Sequence, residues 1–237
     1  MRASAGRPGP DLPYDLLAGV VPCRKGWLVA PGKLVGVSLN PEPVTVLPRF
    51  AEVIDHVPSY AVVAVSIPIG LPKRWSERGR RCDREARDLV GWPHLGAIAS
   101  PPGRNDLRGR RAVVGDVVTR RMSTAIAEVD AEMQPYRQRT VYSVHPELSF
   151  YQLNGNRPPR FSKRSASGMR ERRVLLTSRM PGAERILDEV PAGVAPGQLL
   201  DAVALLWTSR RIAARAATRV PSDPEWDTEG LRMEWVY

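Results

Sequence analysis

Two short β-branched runs, each cut off by a proline, constrain this chain more than any other feature. One is Ala61-Val62-Val63-Ala64-Val65, which runs into Ser66-Ile67-Pro68-Ile69-Gly70-Leu71. The other is Val141-Tyr142-Ser143-Val144, stopped at His145-Pro146-Glu147. Runs of this length and composition read as buried strands, and a proline that cannot donate to the ladder ends them. A strand that stops sharply shows its last side chains at the sheet edge, where binding and catalytic groups are often carried. Those positions hold Ser66 and Ser143, which bring neither the negative charge nor the carboxylate oxygens that a divalent ion needs.

The remaining pattern builds a sheet around these runs. Leu16 to Val21 is apolar, a Pro-Cys-Arg-Lys-Gly turn follows, and Trp27 to Ala30 is apolar again. A Pro31-Gly32 turn then leads into Leu34 to Leu39, so three strands in an antiparallel meander are expected. Phe50, Val53, Ile54 and Val57 fall on one helical face, as do Met122, Ile126, Val129 and Met133. Asp83 to Val90, Glu147 to Leu153 and Met169 to Thr177 read as helices, while Ser100 to Arg111 and Asn154 to Lys163 read as loops. Pro196-Gly197 precedes a long helix with Leu199, Leu200, Val203, Leu206, Trp207 and Ala214 along one stripe. Leu231, Met233, Trp235 and Tyr237 alternate with other residues, which predicts a half-buried terminal strand. The order is α/β with a mixed sheet.

A chain of 237 residues can bury one good core. We read residues 1–12 as a disordered tail and 13–237 as a single domain, with a helical and loop insertion at about 72–140. No apolar run is long enough for a membrane span, which predicts no membrane partner. Cys23 and Cys82 lack metal-ligand spacing and are expected as reduced core thiols of a cytoplasmic protein. The net charge of +10 is carried almost wholly by arginine, the side chain best suited to phosphates. Such a balance favours nucleic acid through a salt-dependent, sequence-independent attraction, with the coding bias of a GC-rich genome as the alternative source of the arginines.

Gly19-Val20 with Cys23 and Gly26-Trp27 is followed by Ile67-Pro68-Ile69-Gly70-Leu71, then by Arg81-Cys82-Asp83-Arg84 with Ala86-Arg87. Glu128-Val129-Asp130 comes next, then His145-Pro146-Glu147 with Ser149-Phe150, Ser162-Lys163-Arg164 with Gly168, and Asp201-Ala202. In this order the segments resemble the DUF429 family of predicted nucleases. The resemblance implies a ribonuclease H-like fold, a mixed sheet of an antiparallel meander plus parallel strands flanked by helices. It also implies a two-ion nuclease site built on carboxylates. Against that pattern the chain has Val21-Pro22, Ser66, Ser143 and Gly197-Gln198 where acids are expected. Glu147 and Asp201 remain, enough for one Mg²⁺ or Mn²⁺ at most.

The resemblance makes Glu147, Asp201 and His145 the catalytic candidates, with Glu147 and Asp201 as metal ligands. Lys163 and Arg164, with Asp83, Arg84 and Ser66, are the candidates for holding substrate or phosphate. Each has a structural alternative. Glu147 and Asp201 suit the first turn of a helix for dipole reasons alone, Asp83 and Arg84 suit a helix cap, and His145 suits a local hydrogen bond. Arg104, Arg108, Arg110 and Arg111 form a basic cluster that contacts nucleic acid or is simply solvated. Trp75 and Trp92 are expected to pack, with base stacking as the alternative. Glu128 and Asp130 are the acids that could stand in for those missing. The leading expectation is a divergent family member with a degraded metal site that binds nucleic acid or a nucleotide-like phosphorylated ligand. A nuclease or phosphodiesterase using Glu147 and Asp201, and a small-metabolite enzyme reusing the pocket, are the alternatives.

Overall fold

The structure is a computed structural model, described here for residues 13–108 and 117–237. The expected tail at 1–12 and the positions Arg110 and Arg111 lie outside the described residues. Strands β1 (Asp15–Cys23), β2 (Gly26–Val35), β3 (Ser38–Pro41), β4 (Thr45–Leu47), β5 (Val62–Val65) and β6 (Val141–Ser143) form one sheet. Its order is β3-β2-β1-β5-β6, with β4 also pairing β2. The β1–β2 and β2–β3 pairs are antiparallel, whereas β1–β5 and β5–β6 are parallel. With its flanking helices this is a mixed-sheet α/β fold, consistent with a ribonuclease H-like arrangement.

The meander is present but its first break lies elsewhere. Pro31 and Gly32 stay in β2, opposite Ala18 and Leu17, and the chain turns at Gly36, where φ is +58°. Pro31 still takes part in the pairing through its carbonyl, which accepts from the Glu42 N–H at 2.9 Å.

Both faces of β1 are covered, which is why it reads as a continuous apolar run instead of an alternating one. Leu17 and Val21 pack with α8 (Pro196–Ala213), together with residues of α5 (Pro146–Leu153), α6 (Ala166–Arg179) and α7 (Ala183–Asp188). Leu16, Ala18 and Val20 pack on the opposite face with α1 (Phe50–Ile54) and α4 (Val117–Glu132). Gly19 faces α8 without a side chain, and a Cβ there would meet the Ala202 carbonyl oxygen at 2.1 Å. Glycine therefore sets how closely α8 lies on the sheet, and with it the placement of Asp201 one residue earlier.

Three further expectations are corrected. Helix α1 ends at Ile54, and Val57 is exposed, because the residue before Pro58 is pushed out of helical geometry. Within the expected 100–111 loop, Arg104–Arg108 forms a short helix, α3. The terminal strand β8 (Arg232–Val236) belongs to a separate two-stranded sheet with β7 (Arg219–Trp226) and is mostly buried on both faces. That small sheet packs on α2 (Arg81–Val90) through Val220, Trp235, Cys82 and Ala86. No helix among the described residues is long and apolar enough to cross a membrane.

Candidate functional site

The C-terminal ends of the three parallel strands meet at one edge. Val65 pairs with Val20 on one side and with Ser143 on the other. The backbone stitches continue past the strands, from the Ser66 N–H to the Val20 carbonyl and from the Val144 N–H to the Val65 carbonyl, both at 2.9 Å. Open α/β sheets place ligands at this edge. A cleft of about 670 Å³ lies there. Val21, Pro22, Cys23 and Ser66 line it from the sheet, and His145 and Glu147 from the start of α5. Lys163 and Arg164 enter from the loop before α6, and Gln198 and Asp201 from α8. Six of the eight expected site residues thus share one cavity, joined by His94 and by Arg121 of α4.

Glu147 is 1% exposed, and its Oε2 accepts a 2.7 Å bond from the Arg172 guanidinium. The His94 Nδ1 lies 3.3 Å from the same oxygen, while Oε1 is buried with no hydrogen-bond partner among the described residues. Burial by itself raises the Glu147 pKa, but the His94 hydrogen bond and the Arg172 and Lys163 charges overcome it and hold the carboxyl at about 2. The His94 Nε2 lies 2.7 Å from the Pro159 carbonyl oxygen, so both ring nitrogens face acceptors. Its hydrogen bond to Glu147 raises its pKa, against burial.

Asp201 pairs with Lys163 at 3.1 Å. Helix α8 begins at Pro196, so Asp201 stands in the second turn, not the first as expected, and the helix dipole gives little reason for an acid there. Burial pushes the Asp201 carboxyl up, and the nearby Glu147 charge adds to that against the pull of Lys163. The Asp201 charge in turn raises the Lys163 ammonium. Lys163 is positioned by a close approach of its loop to α6, where a Cβ on Gly168 would meet the Ser162 carbonyl oxygen at 2.0 Å.

His145 caps α5. Its Nδ1 accepts from the Glu147 N–H at 3.2 Å and its Nε2 lies 3.2 Å from the Ala97 carbonyl oxygen, which assigns the proton to Nε2. Both ring nitrogens are thus held by backbone groups, while the residue lines the cleft. Burial and the Lys163 charge lower its pKa to about 4, so it is neutral near pH 7. Ser66 faces the cleft, and no partner for its hydroxyl occurs among the described residues.

Asp83 and Arg84 are not at the cleft. Asp83 is fully buried, bonded through both oxygens to Arg80 and at 2.8 Å to the Trp235 indole N–H. Arg80 in turn donates at 2.8 Å to the carbonyls of Ile69 and Gly70, so this pair anchors the turn after β5. Arg84 is exposed and donates to the Gly79 carbonyl. Ser143 also serves that turn, donating to the Ile67 carbonyl at 2.7 Å and accepting from the Ile69 N–H.

The other acid-free positions are likewise tied into structure. The Gln198 side-chain amide donates to the Pro22 carbonyl at 2.9 Å and accepts from the Ala195 N–H. It thereby joins the end of β1 to the start of α8, two places where the resemblance led one to expect acids. Glu128 accepts from the Trp27 indole and the Phe50 N–H, and Asp130 pairs with Arg104 at 2.7 Å. Neither lines the cleft. Arg104 is buried between Asp130 and Asp227, which removes it from the expected basic cluster. Cys23 packs partly buried against the core and also lines the cleft, and Cys82 is buried as expected. Trp92 is exposed, against the expectation that it packs.

The two carboxylates that the resemblance makes ion ligands are each paired with a cation. Glu147 Oε2 is taken by two donors, Asp201 by an ammonium, and no group of three His, Cys, Asp or Glu residues is placed to hold a metal among the described residues. The residues missed from sequence are His94 and Arg172. Arg172 left one trace, since Gly168, Arg172 and Leu176 share a helical face that is wholly buried. His94, by contrast, stands in an irregular stretch that gives no periodic signal.

A family model described as a protein of unknown function (DUF429) matches residues 14–226. The chain belongs to that family. No curated protein and no solved structure matches it.

Proposed function

We propose that this DUF429-family chain binds a phosphorylated ligand, nucleic acid or nucleotide-like, in the cleft, and does so without efficient phosphodiester cleavage. The observation that carries the reading is the charge balance at the strand ends. Two carboxylates, Glu147 and Asp201, are met by Arg172 and Lys163, and Arg164 and Arg121 add positive charge to the same cavity. A site built for divalent ions needs uncompensated oxygens. Here the acids position the cations, and the surplus charge suits an anion. Among the described residues the Arg164 guanidinium pairs with no carboxylate, so it can meet a phosphate without first breaking an ion pair.

The test is fluorescence anisotropy with a labelled oligonucleotide at several salt concentrations, beside a cleavage assay in Mn²⁺. We expect affinity to fall steeply between about 50 and 200 mM salt, and Arg164→Glu to weaken it strongly. Cleavage that is abolished in both Glu147→Ala and Asp201→Ala would overturn the reading, as would a flat salt response.

A further inference from the structure

Beside the cleft, two segments distant in sequence are fastened together. The His94 ring bonds the Pro159 carbonyl at 2.7 Å, joining the 91–97 stretch to the loop that delivers Lys163. Each segment carries an exposed aromatic ring next to its cleft-lining residues. Trp92, 86% exposed, directly precedes Pro93 and His94; Phe161, 41% exposed, directly precedes Ser162 and Lys163. Tryptophan is highly buried on average, so a ring this open in a folded segment is unusual.

The backbone that carries Phe161 is also held in place. Glu171 accepts from the backbone N–H groups of Arg160 and Phe161 at 2.7 and 3.0 Å, and Arg172 donates to the Phe161 carbonyl at 2.9 Å. The Arg160 guanidinium lies over the ring, 5.3 Å from its centroid. Around it the loop carries Arg157, Arg160, Lys163 and Arg164 within eight residues. Exposed rings interleaved with cations suit unpaired nucleotides. Each base offers a π-face to stack, and each phosphate a charge to neutralise. Inside a duplex the base faces are already covered by stacked neighbours, and inorganic phosphate has no π-face.

Resting on the reading of the cleft as a phosphate site, we infer that Trp92 and Phe161 form a stacking rim for the bases of single-stranded nucleic acid, whose backbone follows Lys163 and Arg164. The rim is preorganised by α6 and His94, so little ordering is needed on binding.

Anisotropy with a labelled 12-nucleotide single strand, the matching duplex and a pyrophosphate competitor tests this. Trp92→Ala and Phe161→Ala change exposed rings, so both should fold. Each is expected to weaken single-strand binding by about fivefold or more. Duplex affinity and pyrophosphate competition should stay at wild-type values. Unchanged single-strand affinity in both variants, with the wild type binding, would overturn the stacking rim alone. Wild-type protein that binds neither strand nor pyrophosphate would overturn the cleft reading as well. Self-association of the wild type in sedimentation that Trp92→Ala abolishes, with binding intact, would assign that ring to self-association and also overturn the rim.

Discussion

Two buried arginine–carboxylate pairs lie near His145, and they are finished to different degrees. In the Arg80–Asp83 pair, both side chains are fully buried. Asp83 accepts from the Arg80 backbone and guanidinium and from Trp235, and Arg80 spends its remaining nitrogen on two carbonyls. In the Arg172–Glu147 pair, equally buried, Glu147 Oε1 and Arg172 Nε have no partner among the described residues. A buried polar group left unsatisfied costs about 1–3 kcal/mol. Chemically similar pairs therefore serve different ends. The saturated one locks the turn after β5 to the small sheet, while the unsaturated one stands at a cleft and holds a carboxylate in place in its wall.

The sharpest way to break this comparison is by mutation of the saturated pair. Asp83→Ala strands the Arg80 charge in the core and should cost about 3–5 kcal/mol in denaturant unfolding. Glu147→Gln leaves Arg172 a neutral acceptor in a shape of the same size and should cost less, about 1–3 kcal/mol. Equal losses would mean that the two pairs do the same work.

Acid sharpens it further. Glu147 ionises at about 2 in the folded protein against 4.5 ordinarily. Its contribution is thus present above pH 4.5 and is lost as pH falls through 2. Over that window the wild type should lose on the order of 3 kcal/mol more than Glu147→Gln in paired unfolding curves. His145 works over a different range. Its pKa is depressed from 6.5 to about 4, so the folded state favours the neutral ring, and stability falls as pH drops from 6.5 toward 4. His145→Asn keeps a helix-capping side chain and should flatten that decline in thermal melts taken across the same range.

The smallest effect on stability should come from the third pair. The Lys163 side chain is 37% exposed, so Lys163→Met should change stability by less than about 1 kcal/mol. Its effect on ligand should be larger. Oligonucleotide affinity is expected to fall about tenfold and the salt slope by about one contact, read from anisotropy titrations. A large loss of stability with unaltered affinity would move Lys163 from the site to the scaffold.

Much of the fold was legible residue by residue. Val62 to Val65, Val141 to Ser143 and the stripe of α8 show in the sequence because burial on a regular backbone imposes a period on the residues themselves. Strand β7 did not show, because Pro221 and Pro224 interrupt it and its pairing partner comes later in the chain. The cleft was legible in its members but not in its wiring. Glu147, Lys163 and Asp201 were found, whereas the cation that neutralises Glu147 was not, and Asp83 was placed at a site from which Trp235 and Arg80 withhold it.

By itself, then, the sequence determined the strands that stop at prolines, the apolar faces, the basic loop and the absence of a carboxylate at Val21-Pro22, Ser66, Ser143 and Gly197-Gln198. The tertiary structure alone decided which charge meets which. Hydrophobic period is a local property, repeated every two or nearly four residues. An ion pair is a single contact between residues brought together from afar: 25 positions separate Glu147 from Arg172, and 152 separate Asp83 from Trp235. No local pattern encodes such a distance, so whether a buried carboxylate is free to hold a ligand, or already spoken for, emerges only once the chain has packed.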